Sequence, residues 1–169
     1  MKKKIIICLI TVLLVVAACI ILINMNHKKD NERYEQIKKD VREEAITYLT
    51  IIQTPYAEGY EYYLYEDDIV NPLHRGADKN ILLDVDNKSY CKSSIRGFVK
   101  DGKWDADVYL KCNKFEDKEY EDALLVFMCM NGVPEGYEEY YEKYGKQYDN
   151  LVCPERIEKI IEKNRSLVN

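Results

Sequence analysis

The chain has 169 residues, with 25 basic against 30 acidic side chains and a formal net charge of −5. Three of the basic residues, Lys2, Lys3 and Lys4, stand ahead of a charge-free run, so the 145 residues from Met25 onward hold 22 basic and 30 acidic groups, a net −8. Such a balance disfavours a nucleic-acid binder, whose phosphate contacts need a basic face. A segment of that length can close a core of its own, which argues against intrinsic disorder.

Residues 5–24 carry no charge. As a helix rising about 1.5 Å per residue, twenty residues cover about 30 Å, the thickness of a bilayer's hydrocarbon. The apolar run continues through Ile20, Ile21, Leu22 and Ile23, beyond the core of a cleaved secretory signal. An uncleaved, single-pass signal anchor in the cell membrane is therefore expected, with residues 1–4 on the cytoplasmic side. Within the same run, Val16-Ala17-Ala18-Cys19 resembles the lipobox of bacterial lipoproteins and marks Cys19 as the lipidation site of the alternative, a lipoprotein. Basic residues flank the span on both sides, Lys28, Lys29, Arg33, Lys38 and Lys39 following it, so charge alone leaves orientation undecided. A long segment behind a short amino end is exported largely regardless of its charge, which places the C-terminal domain outside the cytoplasm.

The predicted architecture is α+β. Residues 25–55 form a juxtamembrane amphipathic helix, with Tyr34, Ile37, Val41, Ala45, Tyr48 and Ile52 at steps of three and four, widened by Ile46 and Leu49. Thr54-Pro55 ends it. The domain over residues 56–169 opens with an irregular tyrosine-rich stretch containing a short helical turn. Ile81-Leu82-Leu83 and Val85 suggest a first strand, followed by a turn at Asp86-Asn87-Lys88-Ser89.

The strongest local signal is Asp101-Gly102 between two alternating segments, the mark of a two-residue hairpin. The implied register sets Val99 opposite Trp104, Gly97 opposite Ala106, Ile95 opposite Val108 and Cys91 opposite Cys112. One face is then apolar and the other mostly polar. Alternation from the turn makes Cys91 and Cys112 a non-hydrogen-bonded pair, whose side chains are close enough for a disulfide. Cys129 with Cys153 follows by elimination. Ala123 to Met130, eight apolar residues, reads as a buried strand; Tyr137, Tyr140, Tyr141, Tyr144 and Tyr148 as the stripe of a helix; and a last helix begins near Pro154, burying Ile157, Ile160 and Ile161.

Nothing in the sequence forms a catalytic signature, so no enzyme, cofactor or metal is expected. His27 and His74 are the two histidines, and neither lies beside a cysteine. Cys91, Cys112, Cys129 and Cys153 lack the close pairing of zinc ligands. Asp84-Val85-Asp86-Asn87 matches the start of a calcium loop, but Ser89 stands where the turn glycine belongs and Ile95 where the closing glutamate belongs.

An apolar helix running into an amphipathic one, then a small antiparallel sheet with a cysteine at each end of one hairpin, resembles bacterial type IV pilins and pseudopilins. The chain departs from their defining motif: Lys4-Ile5-Ile6-Ile7-Cys8-Leu9 offers neither the cleavage glycine nor the acidic residue. The resemblance implies a non-enzymatic extracytoplasmic subunit or assembly factor that associates with itself or with other membrane proteins. The alternative is a membrane-tethered binding module contacting cell-wall polysaccharide or peptide through tyrosine-rich surfaces, since tyrosine offers rigid contact area with a polar tip.

Overall fold

A run of aliphatic side chains behind three lysines satisfies its backbone internally as a helix, and α1 extends over Lys2–Ile52. The computed structural model describes residues 2–52, 57–70, 78–147 and 150–168, with side chains over 12–52, 57–70, 78–145 and 151–168. The chain falls into two units, Met1–Gln36 and Ile37–Asn169. The first contains the part of α1 that is long and apolar enough to cross a membrane, and its side chains from Val12 to Met25 are exposed. Thr54-Pro55, the expected helix end, lies outside the described residues.

The second unit is built on a three-stranded antiparallel sheet in the order β1-β2-β3: β1 is Glu61–Tyr65, β2 Lys92–Lys100 and β3 Lys103–Lys111. Its hairpin has the register the turn implies, from Lys100 opposite Lys103 to Lys92 opposite Lys111. Asp101 and Gly102 both take positive φ, 51° and 71°, as a two-residue turn of this hand requires. Ile95, Gly97, Val99, Trp104, Ala106 and Val108 form a buried face. Against it lie the buried residues of the α1 stripe, Ile37, Val41, Ala45 and Leu49, with the Leu49 side chain seated on Gly97.

The opposite, mostly polar face is covered as well. Helix α3, Tyr120–Asn131, packs there with Tyr63, Tyr65 and Tyr109 of the strands, and Tyr65 and Phe127 bring their rings to 4.8 Å. This helix is the segment read as a buried strand. An apolar run of eight residues fits either state. Glu121 and Asp122 in its first turn and Gly132 at its end, φ 92°, tip it to helix, since acidic residues favour the amino end and a positive-φ glycine releases the carboxyl end. Buried between the sheet and its neighbours, α3 shows no polar stripe to betray its period.

A second correction concerns the first strand. It is Glu61–Tyr65, within the stretch expected to be irregular, and it pairs with β2 from Glu61 opposite Phe98 to Tyr65 opposite Ser94. The anticipated helical turn follows as α2, Glu66–Val70. Ile81-Leu82 instead belongs to a 3-10 turn, Lys79–Leu82, capped by the Asp78 carboxylate, and Leu83 meets Tyr90 in an isolated bridge.

The tyrosine helix is α4, Glu139–Tyr144: it stops at Gly145, φ 67°, as the glycine's interruption of the stripe implies, and it starts after Tyr137. A minimal hairpin follows, β4 (Lys146–Gln147) with β5 (Asn150–Leu151). Helix α5, Glu155–Val168, starts directly after Pro154 and buries Ile157 fully and Ile160 and Ile161 in part.

Both sheet edges are occupied. On β3, Arg42 Nε donates to the Ala106 carbonyl at 3.0 Å, while the Asp117 N–H donates to the Leu110 carbonyl at 2.9 Å. On β1, the Asn164 amide of α5 bonds the backbone of Glu61 in both directions. Exposed strand edges invite pairing with other chains, and these contacts withhold the backbone groups of Glu61, Ala106 and Leu110 from it.

Candidate functional site

The amino end of β2 and the carboxyl end of β3 are joined by a disulfide between Cys91 and Cys112, whose Cα atoms lie 4.3 Å apart. The Cys91 N–H donates outward to Leu82 O and the Cys112 N–H outward to Phe115 O, so the pair exchanges no backbone bond with itself and its side chains face each other closely. A second disulfide joins Cys129, at the end of α3, to Cys153, just before α5. Cys19 is a free, exposed thiol on α1.

Beside the first disulfide stands Asp84, fully buried. Together with Cys91 and Cys112 it forms a group of potential metal ligands, but the two sulfurs are bonded to each other and have no thiolate to offer. The Asp84 carboxylate accepts the N–H groups of Val85 and Asn113 and the Ser89 hydroxyl, at 2.6, 2.8 and 3.3 Å. Asp86 closes the same loop. The Lys88 N–H, then Asn113 and Ser89, hold its carboxyl down at about 2. Both carboxylates thus serve as turn acceptors for their own loop.

Of the singled-out tyrosines, Tyr137 and Tyr140 are buried in the cluster around α3, and Tyr141 and Tyr144 are half-buried against it. Tyr148, like His74, lies outside the described residues. The buried hydroxyls are all engaged. Tyr137 donates to Glu66 at the start of α2 and stands 3.4 Å from the Tyr120 hydroxyl, while Tyr140 donates to Glu121. Burial pushes the phenols of Tyr137, Tyr140 and Tyr120 well above the ordinary value, and the nearby carboxylates Glu66 and Glu121 push further.

These rings floor a groove of about 300 Å³, whose walls include Tyr90, Lys92, Lys111, Asn113 and Glu139. Lys92 and Lys111 face each other across the strands. The Lys92 ammonium lies over the Tyr137 ring, 4.0 Å from its centroid, and Lys111 is held by Glu116 and Glu121 at 3.1 and 3.2 Å. Sequence periodicity pointed to Tyr137 and Tyr140 but not to Tyr90 or the two lysines. Those reach the groove only through the pairing of β2 with β3 and the fold of α3 beneath it.

No protein-family model, curated protein or solved structure matches the chain.

Proposed function

We propose that the chain is a membrane-anchored extracytoplasmic protein whose C-terminal domain is a non-enzymatic interaction module of pilin-like plan. The observation that carries this reading is the pair of disulfides, Cys91–Cys112 and Cys129–Cys153, in the unit that follows the apolar helix. Disulfides persist where the environment is oxidising, outside the cytoplasm. An amphipathic segment laid on a small antiparallel sheet supports the pilin-like plan. Crosslinking in native membranes tests the interaction: chains crosslinked to one another or to a second membrane protein support it, and a chain that stays uncrosslinked at native abundance counts against it.

The anchor is read as uncleaved, retaining the apolar helix. Intact mass tests this: a chain beginning at Met1 agrees, and a diacylated species beginning at Cys19, lost in Cys19→Ser, promotes the lipoprotein form.

The tyrosine-floored groove favours a second reading, a membrane-tethered binding module for cell-wall material. Small-ligand sites are concave, with an aromatic surface and a few convergent polar groups.

A further inference from the structure

We infer that Asp84, Cys91 and Cys112 form a zinc site in the reduced chain, so that disulfide and metal are alternative states of one position at the end of the β2–β3 hairpin. The inference stands whichever side of the membrane the domain faces.

The three residues come from separate stretches of chain: the loop after the 3-10 turn, the residue before β2 and the residue after β3. The ligand atoms they offer lie within 4.8 Å of one another, and no other such group of three occurs among the described residues. Their approach does not depend on the S–S bond. The hairpin register holds Lys92 opposite Lys111 beside them, and the Cys91 and Cys112 N–H groups are anchored on the Leu82 and Phe115 carbonyls, both at 2.8 Å.

Asp84 is the residue that points to a cation. It is fully buried, and every partner of its carboxylate is neutral: the N–H groups of Val85 and Asn113 and the Ser89 hydroxyl. Buried charges are paired or coordinate metals, and no cationic side chain pairs with this one among the described residues. A carboxylate has about four acceptor positions, and these bonds use three of them. They also fix its direction, as the outer partners of a metal-bound carboxylate do.

Reduction supplies the other ligands. A dithiol reductant becomes its own disulfide and passes two electrons and two protons to the Cys91–Cys112 bond, which opens to two thiols. A divalent cation then displaces those two protons as the sulfurs bind it, and oxidation reverses the sequence and expels the metal. Two thiolates and a carboxylate carry three negative charges, which a dication offsets better than monovalent copper does. Sulfur ligands disfavour magnesium and calcium, which take oxygen. Zinc accepts the mixed set, with Zn–S about 2.3 Å and Zn–O about 2.0–2.2 Å, so the ligand atoms need to stand about 3.5–3.8 Å apart. Cys112, half-buried on the wall of the groove, leaves the fourth position open to water.

The test is titration with Co2+ of the full chain in phosphatidylcholine nanodiscs, after reduction with dithiothreitol that is removed anaerobically. Cobalt reports each thiolate by charge-transfer absorbance and a tetrahedral site by its visible bands. The expected result is one Co2+ per reduced chain, released by Zn2+, with charge-transfer intensity halved in Cys112→Ser and kept in Cys129→Ser. Loss of an outer partner alone costs about 10–100-fold in metal affinity, so Asp84→Asn is expected to weaken binding by more than about tenfold. A second readout needs no variant: Zn2+ is expected to shield Cys91 and Cys112 of the reduced chain from iodoacetamide and to leave Cys129 and Cys153 reactive. Cobalt bound without sulfur bands, bands that survive Cys112→Ser, equal binding by the oxidised chain, absence of shielding, or loss of the native circular dichroism on reduction overturns the inference.

Discussion

Asn164, in the middle of α5, is bonded to the backbone of Glu61 at both ends of its amide: its oxygen accepts the Glu61 N–H at 3.1 Å and its nitrogen donates to the Glu61 carbonyl at 2.6 Å. A side chain thereby stands in for the missing neighbour of an edge strand. It joins residues 103 positions apart and ties the last helix to the first strand. Asn164→Ala leaves two inward-facing backbone groups without partners and is expected to cost about 1–3 kcal/mol. Asn164→Asp keeps the acceptor, loses the donor and sets a carboxylate against a carbonyl, so it is expected to cost at least as much. Urea unfolding of the pair measures both.

Gly97 is required by close approach, because a side chain there would enter the space of Leu49 and stand 3.3 Å from the Tyr62 carbonyl. Gly97→Val is expected to lose about 1–3 kcal/mol through overpacking. Leu49→Ala empties the same site from the other side at about 2–5 kcal/mol. The double variant is expected to recover part of the sum, since the two changes share one volume.

The tyrosines of the groove floor are packing residues first. Tyr140→Ala removes a buried ring and is expected to cost about 3–5 kcal/mol, and Tyr144→Ala, at a half-buried ring, clearly less. Tyr137→Phe keeps the ring and removes the hydroxyl bond to Glu66, at about 1–3 kcal/mol. Equal, negligible losses in thermal stability for all three would show that these rings do not hold the fold.

Stability is expected to fall at both ends of the pH scale. Asp86 has its carboxyl lowered from 3.8 to about 2, chiefly by the Lys88 N–H, so its contribution is full above 3.8 and is lost as pH falls toward 2. Asp86→Asn should flatten that limb. The phenol of Tyr65 is raised from 10.0 to about 12, by burial and then by Asp67. Tyr63, Tyr120, Tyr137 and Tyr140 are raised further by burial. Their contribution is full below 10.0 and is lost as pH rises through 12 and beyond. Tyrosinate absorbance is expected to rise in a second, cooperative step that coincides with loss of circular dichroism.

How much of this was legible in the sequence depends on the range of each signal. The hairpin was, because Asp101-Gly102 fixes a turn and alternation fixes the register out to Cys91 and Cys112. The α1 stripe was too, from Ile37 to Leu49, since one buried face of a helix imposes its period. Helix α3 was not: from Ala123 to Met128 every residue is apolar and buried, so that run has no polar positions from which a period can be read. Strand β1 was hidden for a similar reason. Its Tyr63 and Leu64, on opposite faces of the strand, are both buried, and Asn164 supplies a contact from 103 residues away. The groove shares that limit, because Tyr90, Lys92 and Lys111 meet the tyrosine floor only through tertiary pairing.

The central claim, a membrane-anchored domain folded and oxidised outside the cytoplasm, is tested most directly by non-reducing peptide mapping of protein taken from native membranes with free thiols alkylated at lysis. The account predicts linked peptides joining Cys91 to Cys112 and Cys129 to Cys153, with Cys19 in an unlinked peptide. Alkylated thiols at Cys91, Cys112, Cys129 and Cys153 would contradict it.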